Sequence, residues 1–89
     1  MAGRSLAGKV ALITGAGSNP GMGRIMAHAM VLAGARVAMS DVNEQALALS
    51  VNEAREIGGD DAAIAIVADV SQQADAERSV RETIARLGG

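Results

Sequence analysis

Aromatic residues are missing from this chain of 89 residues, which has no Phe, Tyr or Trp. Its interior must be assembled from Val, Ile, Leu, Met and nineteen alanines, and such small side chains let helices sit close to a sheet. The same absence removes tyrosine as a proton donor and leaves no ring on which a base can stack. Cysteine is absent too. That excludes disulfides and any all-thiolate metal site, and it fits a reducing cytoplasm. Lysine occurs once, at Lys9, and the net charge is −2. The cations are scattered, with no basic stripe of the kind that follows a nucleic-acid backbone. Long apolar runs are lacking as well. Val10-Ala11-Leu12-Ile13 is too short for a secretory segment or a membrane span. The expectation is a soluble, cytoplasmic chain without nucleic-acid or membrane partners. The length corresponds to one domain or less, and so short a chain buries only about 60–65% of its unfolded surface.

What is present alternates regularly. Residues 9–14 are apolar and β-branched without polar alternation, which predicts a strand buried on both faces, as in a parallel sheet. A helix fits from residue 20 or 21 to residue 33, with Pro20 suited to the first position and Gly34 to the C-cap. Met22, Met26, Ala29 and Ala33 recur along it at helical spacing. Residues 36–40 read as a second strand. Asn43 caps a helix over 44–57 whose apolar stripe is Leu47, Val51 and Ala54. Residues 63–68 form a third strand. Ser71 is placed to cap a third helix, with Val80, Ile84 and Leu87 as its buried stripe. The order β-α-β-α-β-α predicts an α/β fold with parallel strands and right-handed crossovers.

The glycines concentrate in one place. Gly15-Ala16-Gly17-Ser18-Asn19-Pro20-Gly21-Met22-Gly23 joins the first strand to the first helix. Glycine lets the backbone turn sharply and lets its N–H groups approach a phosphate. Eighteen residues beyond Gly23 the second strand ends in Asp41, a carboxylate able to accept hydrogen bonds from a ribose. A glycine turn followed by a distant acid outlines a dinucleotide site. The strict G-x-G-x-x-G spacing is not met, since counting from Gly15 puts Pro20 at its last position. The evidence lies in the context, a turn between a strand and a helix with an acid ending the next strand. Asp69, after the third strand, is placed to help Ser71 cap the third helix. Arg24 sits in the first helical turn, where it either nears a phosphate or lies on the surface. His28, the only histidine, falls mid-helix and reads as structural.

Three segments carry a family resemblance. Leu6-Ala7-Gly8-Lys9-Val10-Ala11-Leu12-Ile13-Thr14-Gly15, then Gly21-Met22-Gly23-Arg24, and then Ala68-Asp69-Val70-Ser71 together resemble the opening of the short-chain dehydrogenases/reductases. The likeness runs from about Leu6 to Gly89. It implies the first half of a Rossmann-type doubly wound sheet, strand order 3-2-1, and hydride transfer between a nicotinamide cofactor and an alcohol or carbonyl. It also implies a homo-oligomer. By this resemblance Gly15, Gly17, Ser18, Asn19, Gly21, Met22 and Gly23 form the phosphate and ribose end of the cofactor site. Asp41 accepts from the adenosine ribose, Val42 beside it belongs to the same cofactor site, and Asp69 and Val70 flank the adenine, with Asp69 toward its exocyclic amine. The turn departs from the family spacing. Five residues separate Gly15 from Gly21, two more than usual.

Asp41 favours NAD over NADP, because a carboxylate accepts from the 2′-hydroxyl and repels a 2′-phosphate. Relatives that prefer NADP often carry a basic residue before the middle glycine and another after the acid, where this chain has Pro20 and Val42. The family's catalytic residues, a Ser and a Tyr-x-x-x-Lys, have no counterpart, so no catalytic residue is expected among the 89. The expectation is a partial NAD(P)-binding domain over 1–89, without the fourth strand and without turnover of its own. Alternatives are a non-catalytic NAD or adenosine-binding module, or a scaffold completed by another chain. Without a fourth strand the first becomes an open edge that invites self-association.

Overall fold

The computed structural model describes residues 6–15 and 22–88. The order along the chain is β1 (Val10–Thr14), α1 (Met22–Leu32), β2 (Arg36–Asp41), α2 (Glu44–Gly58), β3 (Ala63–Val67) and α3 (Gln73–Leu87). All pairings are parallel and β2 is central, giving the order β1-β2-β3. Thr14 lies opposite Ser40, and Asp41 opposite Val67, so the three carboxyl ends finish at one level. This is the predicted α/β order.

Alternation along the strands divides the core in two. Val37 and Met39 of β2 point to one face with Ala63, under Ala27 and Val31 of α1 and Leu47, Val51 and Ala54 of α2. Ala38 points to the other face with Ile64 and Ile66 of β3 and Leu87 of α3. Alanines at the contacts bring the layers close. Gly58 is the limiting case, since a Cβ there would lie 2.5 Å from Val31 Cγ1 and 2.8 Å from the Ala62 methyl.

Caps follow partly from sequence. Asn43 Oδ1 accepts from the Ala46 N–H at 3.0 Å, the expected N-cap of α2. Gly34 is left-handed, φ +101°, just past α1, and its N–H donates to Val31 O at 2.9 Å. Ser71 does not cap α3. Gln72 takes that position without a side-chain bond, because the Ser71 hydroxyl is turned back to Asp69.

Three expectations about burial are corrected. β1 is only half-buried, because among the described strands it pairs with β2 alone. On α1 the buried residues are Ala27 and Val31, whereas Met26 is half exposed. That helix, MGRIMAHAMVL, is apolar nearly all round, so periodicity cannot choose its phase, and contact with both β2 and α2 does. On α3 the inward residues are Ser79, Thr83 and Leu87, while Val80 and Ile84 are 50% and 56% exposed. Ser79 Oγ donates to Asp75 O and Thr83 Oγ1 to Ser79 O, at 2.9 and 2.7 Å. Their hydroxyls are satisfied within the helix, so both can face the sheet without a large desolvation penalty.

Candidate functional site

Ligands of open parallel sheets bind beyond the carboxyl ends of the strands, and here those ends converge on a cleft. It has a volume of about 230 Å³ and is lined by Gly15, Ser40, Asp41, Val42, Ala68, Asp69 and Val70. Five residues singled out from the sequence therefore meet: Gly15 from the end of β1, Asp41 and Val42 from the end of β2, Asp69 and Val70 from beyond β3. The parallel register brings them together, and the Ala68 N–H continues it by donating to Asp41 O at 3.1 Å. Another cleft, of about 290 Å³, lies among Gly8, Gly34, Arg36, Gly58 and Asp61 at the amino ends of the strands. It gathers none of the residues singled out for binding.

Each side of the first cleft is locally braced. Asp41 Oδ1 accepts from the Asn43 N–H at 2.9 Å, a short-range turn that ends β2 and starts α2. Val42 between them is 64% exposed. Across the cleft, Asp69 Oδ1 accepts from Ser71 Oγ at 2.5 Å and from the Ser71 N–H at 3.0 Å. Those two bonds, the hydroxyl's first, hold the Asp69 carboxyl below its ordinary pKa. The Asp69 N–H in turn donates to Asp75 Oδ2 at 2.8 Å. Asp69 thus lines the cleft and braces the turn before α3, whose N-cap position falls to Gln72.

Gly15 has φ +66°, the left-handed conformation that glycine adopts without strain. Gly23, in the first turn of α1, is pressed against the strand it follows. A Cβ on Gly23 would stand 2.8 Å from Thr14 O and 3.0 Å from Gly15 O. Only a glycine lets the amino end of α1 come this close to the strand end and the cleft. Met22 opens α1, but its side chain lies outside the described residues, as do Gly17, Ser18, Asn19 and Gly21 entirely.

Arg24 points away from the cleft and across to α2. Its Nε donates to Glu53 Oε1 at 2.9 Å and its Nη2 to Oε2 at 2.6 Å, with a further Nη2 bond to Oε1. The fork holds the Glu53 carboxyl below its ordinary pKa, the Arg24 hydrogen bonds being the main cause and burial a lesser opposing one. His28 joins the same seam, its Nε2 lying 3.1 Å from Ser50 O and 3.8 Å from Glu53 Oε1. As a carbonyl only accepts, Nε2 is the protonated nitrogen. Neither placement considered for Arg24 from sequence included an ion pair. The signal available was the pairing of charges on two helices that share a sheet face.

Sequence reasoning also passed over Ser40, which lines the cleft immediately before Asp41. It is fully buried, and its hydroxyl has no hydrogen-bond partner among the described residues. Among the described residues no group of three His, Asp or Glu side chains is arranged to hold a metal ion. No described helix is long and apolar enough to cross a membrane.

Comparison with known proteins gives a consistent result. The sequence profile described as short chain dehydrogenase matches residues 9–89. A sorbitol dehydrogenase of Cereibacter sphaeroides is 48% identical over 83 residues, covering 93% of this chain and 30% of that protein. Among solved structures, a hydroxysteroid dehydrogenase from Escherichia coli superposes with a TM-score of 0.85 at 36% identity, over 93% of this chain and 33% of its own. A short chain dehydrogenase/reductase from Burkholderia phymatum, solved in complex with NAD, gives 0.85 and 36% over 93% of this chain and 28% of its own. The chain spans about a third of the length of the proteins it matches.

Proposed function

The chain belongs to the short-chain dehydrogenase family, and on that premise we propose that its strand-end cleft holds the adenosine half of NAD. The observation that carries this is the meeting of Gly15, Asp41 and Asp69 in one cleft beside the amino end of α1. The fit is chemical as well as spatial. The missing Cβ at Gly23 leaves room for close helix–strand contact, and the first N–H groups of a helix favour an anion. Gly15, Gly17, Ser18, Asn19, Gly21 and Met22 present that end of the chain to the pyrophosphate. Asp41 accepts from the ribose hydroxyls. Val42 and Val70, both exposed, offer apolar surface to the two faces of the adenine. Asp69 accepts from the exocyclic amine.

In this reading Asp41 selects NAD over NADP. A 2′-phosphate would meet the carboxylate at close range, at a cost of several kcal/mol in a partly desolvated site. When bound, such a cofactor supplies hydride exchange at an alcohol or carbonyl carbon. The whole enzyme is an oxidoreductase of small alcohols or carbonyls acting in the cytoplasm. The 89-residue chain, with no Tyr and a single Lys, binds the dinucleotide without turning over. Calorimetry with NAD and NADP tests the assignment. NAD should bind at least about ten-fold more tightly, and Asp41→Asn should remove most of that ratio. Equal affinities in the parent chain, or no binding of either, would refute it. Sustained NADH formation by the pure chain with a panel of alcohols would refute the absence of turnover.

A second reading concerns assembly. Among the described residues β1 pairs with β2 alone, on one of its two sides. We propose that this flank associates with another polypeptide, a second copy in the pure protein. Light scattering should show mass rising with concentration, and a monodisperse monomer at millimolar concentration would count against it.

A further inference from the structure

The first turn of α1 is held from two directions, and the second has no contact with the cleft. Behind it, Gly23 rests on the carbonyls of Thr14 and Gly15. Beside it, the very next residue reaches across to α2, where Arg24 grips Glu53 with Nε and Nη2 on both carboxylate oxygens. One turn further on, His28 bonds to Ser50 O on the same helix. α2 is itself anchored to the core by Leu47, Val51 and Ala54. It starts at the turn that ends β2, where Asn43 bonds to Asp41. The amino end of α1, which lies beside the cleft, and the Asp41 turn, which lines it, are therefore tied together through α2.

We propose that Glu53 is a positioning residue for the nucleotide site: by fixing Arg24 it sets the amino end of α1 where a pyrophosphate must meet it. The inference rests on the reading of the cleft as a dinucleotide site. A planar guanidinium on a carboxylate constrains angle as well as distance, which a single ammonium does not. Preorganised N–H groups lose their advantage when displaced by roughly 0.5 Å. The pair is half-exposed, with side-chain exposures of 22% and 43%, so its part in overall stability is modest. Its effect is concentrated on where α1 begins.

The test compares ADP with adenosine as NMR titrants of the full chain, in the parent and in Glu53→Ala, Glu53→Gln and Arg24→Lys. A positioning role predicts that ADP affinity falls about five-fold in Glu53→Ala, as expected for the loss of roughly 1 kcal/mol. Arg24→Lys should give a smaller fall, and adenosine affinity should stay within about two-fold throughout. General loosening of the fold would weaken both ligands equally and would overturn the proposal. Circular dichroism identifies any variant that unfolds, and Glu53→Gln, which keeps shape and acceptor oxygen, then carries the comparison. Unchanged ADP affinity would overturn it too. So would a gain, which would mean that the freed guanidinium reaches the phosphates. If the parent binds adenosine and ADP but the variants match it, this inference fails alone. If the parent binds neither, the reading of the cleft fails with it.

Discussion

Replacing Gly23 by alanine asks how closely the fold must bring helix to strand. The added Cβ would stand 2.8 Å from Thr14 O and 3.0 Å from Gly15 O. Both neighbours are backbone, so neither can rotate away. Ordinary contact begins near 3.4 Å, and relief requires α1 to move by about 0.6 Å. Inserting one methyl into a packed contact typically costs about 1–3 kcal/mol. Alanine recovers part of this, since it is favoured over glycine by about 0.8–1.0 kcal/mol in a helix interior, and by less in a first turn. The net expectation is a loss of about 1–2 kcal/mol. For a chain of this size 1 kcal/mol lowers Tm by about 4–8 °C. Urea unfolding of parent and variant, followed by circular dichroism, measures it directly. The displacement should also weaken ADP more than adenosine, because the amino end of α1 moves and the Asp41 side does not. A Gly23→Ala variant as stable as the parent, or more so, would refute the packing argument. Glycine would then serve only the turn.

Three other expectations follow from single contacts. Asn43→Ala removes the side-chain cap on the Ala46 N–H and should cost about 1 kcal/mol, visible as a lower urea midpoint with an unchanged slope. Glu53 has a folded-state pKa below its ordinary value. Its contribution is therefore complete above the unfolded pKa of about 4.3 and is lost as pH falls through the lower folded value. Partial exposure limits that contribution to about 1 kcal/mol, so Glu53→Gln should be less stable than the parent at pH 7 and equal to it in strong acid. A stability gap that persists at low pH, or is indifferent to salt, would contradict the ion pair. Asp69 is likewise held low by Ser71, and Ser71→Ala should move its carboxyl resonance to titrate at higher pH, as carbon-detected NMR would show.

Much of the architecture was legible from local rules. The alternation of strands and helices and the Asn43 cap depend on neighbours a few residues apart, and the chain's periodicity records them. So does the stripe of Leu47, Val51 and Ala54, which recurs at helical spacing on the buried face of α2, while Leu49 and Ile57 lie exposed off it. On α1 the recurrence of Met22, Met26, Ala29 and Ala33 does not mark the buried Ala27 and Val31, and on α3 only Leu87 of the expected stripe is buried. α1 has apolar residues on nearly every side, so several phases bury comparable surface. α3 turns two hydroxyl residues inward because each is satisfied by its own helix, which hydrophobicity cannot register. The strand β1 lies at one side of the described sheet, as the order 3-2-1 implies.

The candidate site divides along the same line. Gly15, Asp41 and Asp69 announce themselves by residue type at the ends of predicted strands, and a parallel sheet then has only one place to put them. By itself the amino-acid sequence determined the element order, the glycine turn and the acids that follow the second and third strands, since these depend on local conformation. Tertiary structure decided that these ends share one cleft, that Gly23 is crowded by the carbonyl of Thr14 and that Arg24 is bound to Glu53 twenty-nine residues away. Those facts depend on distances between segments remote in the chain, which only register and helix packing set.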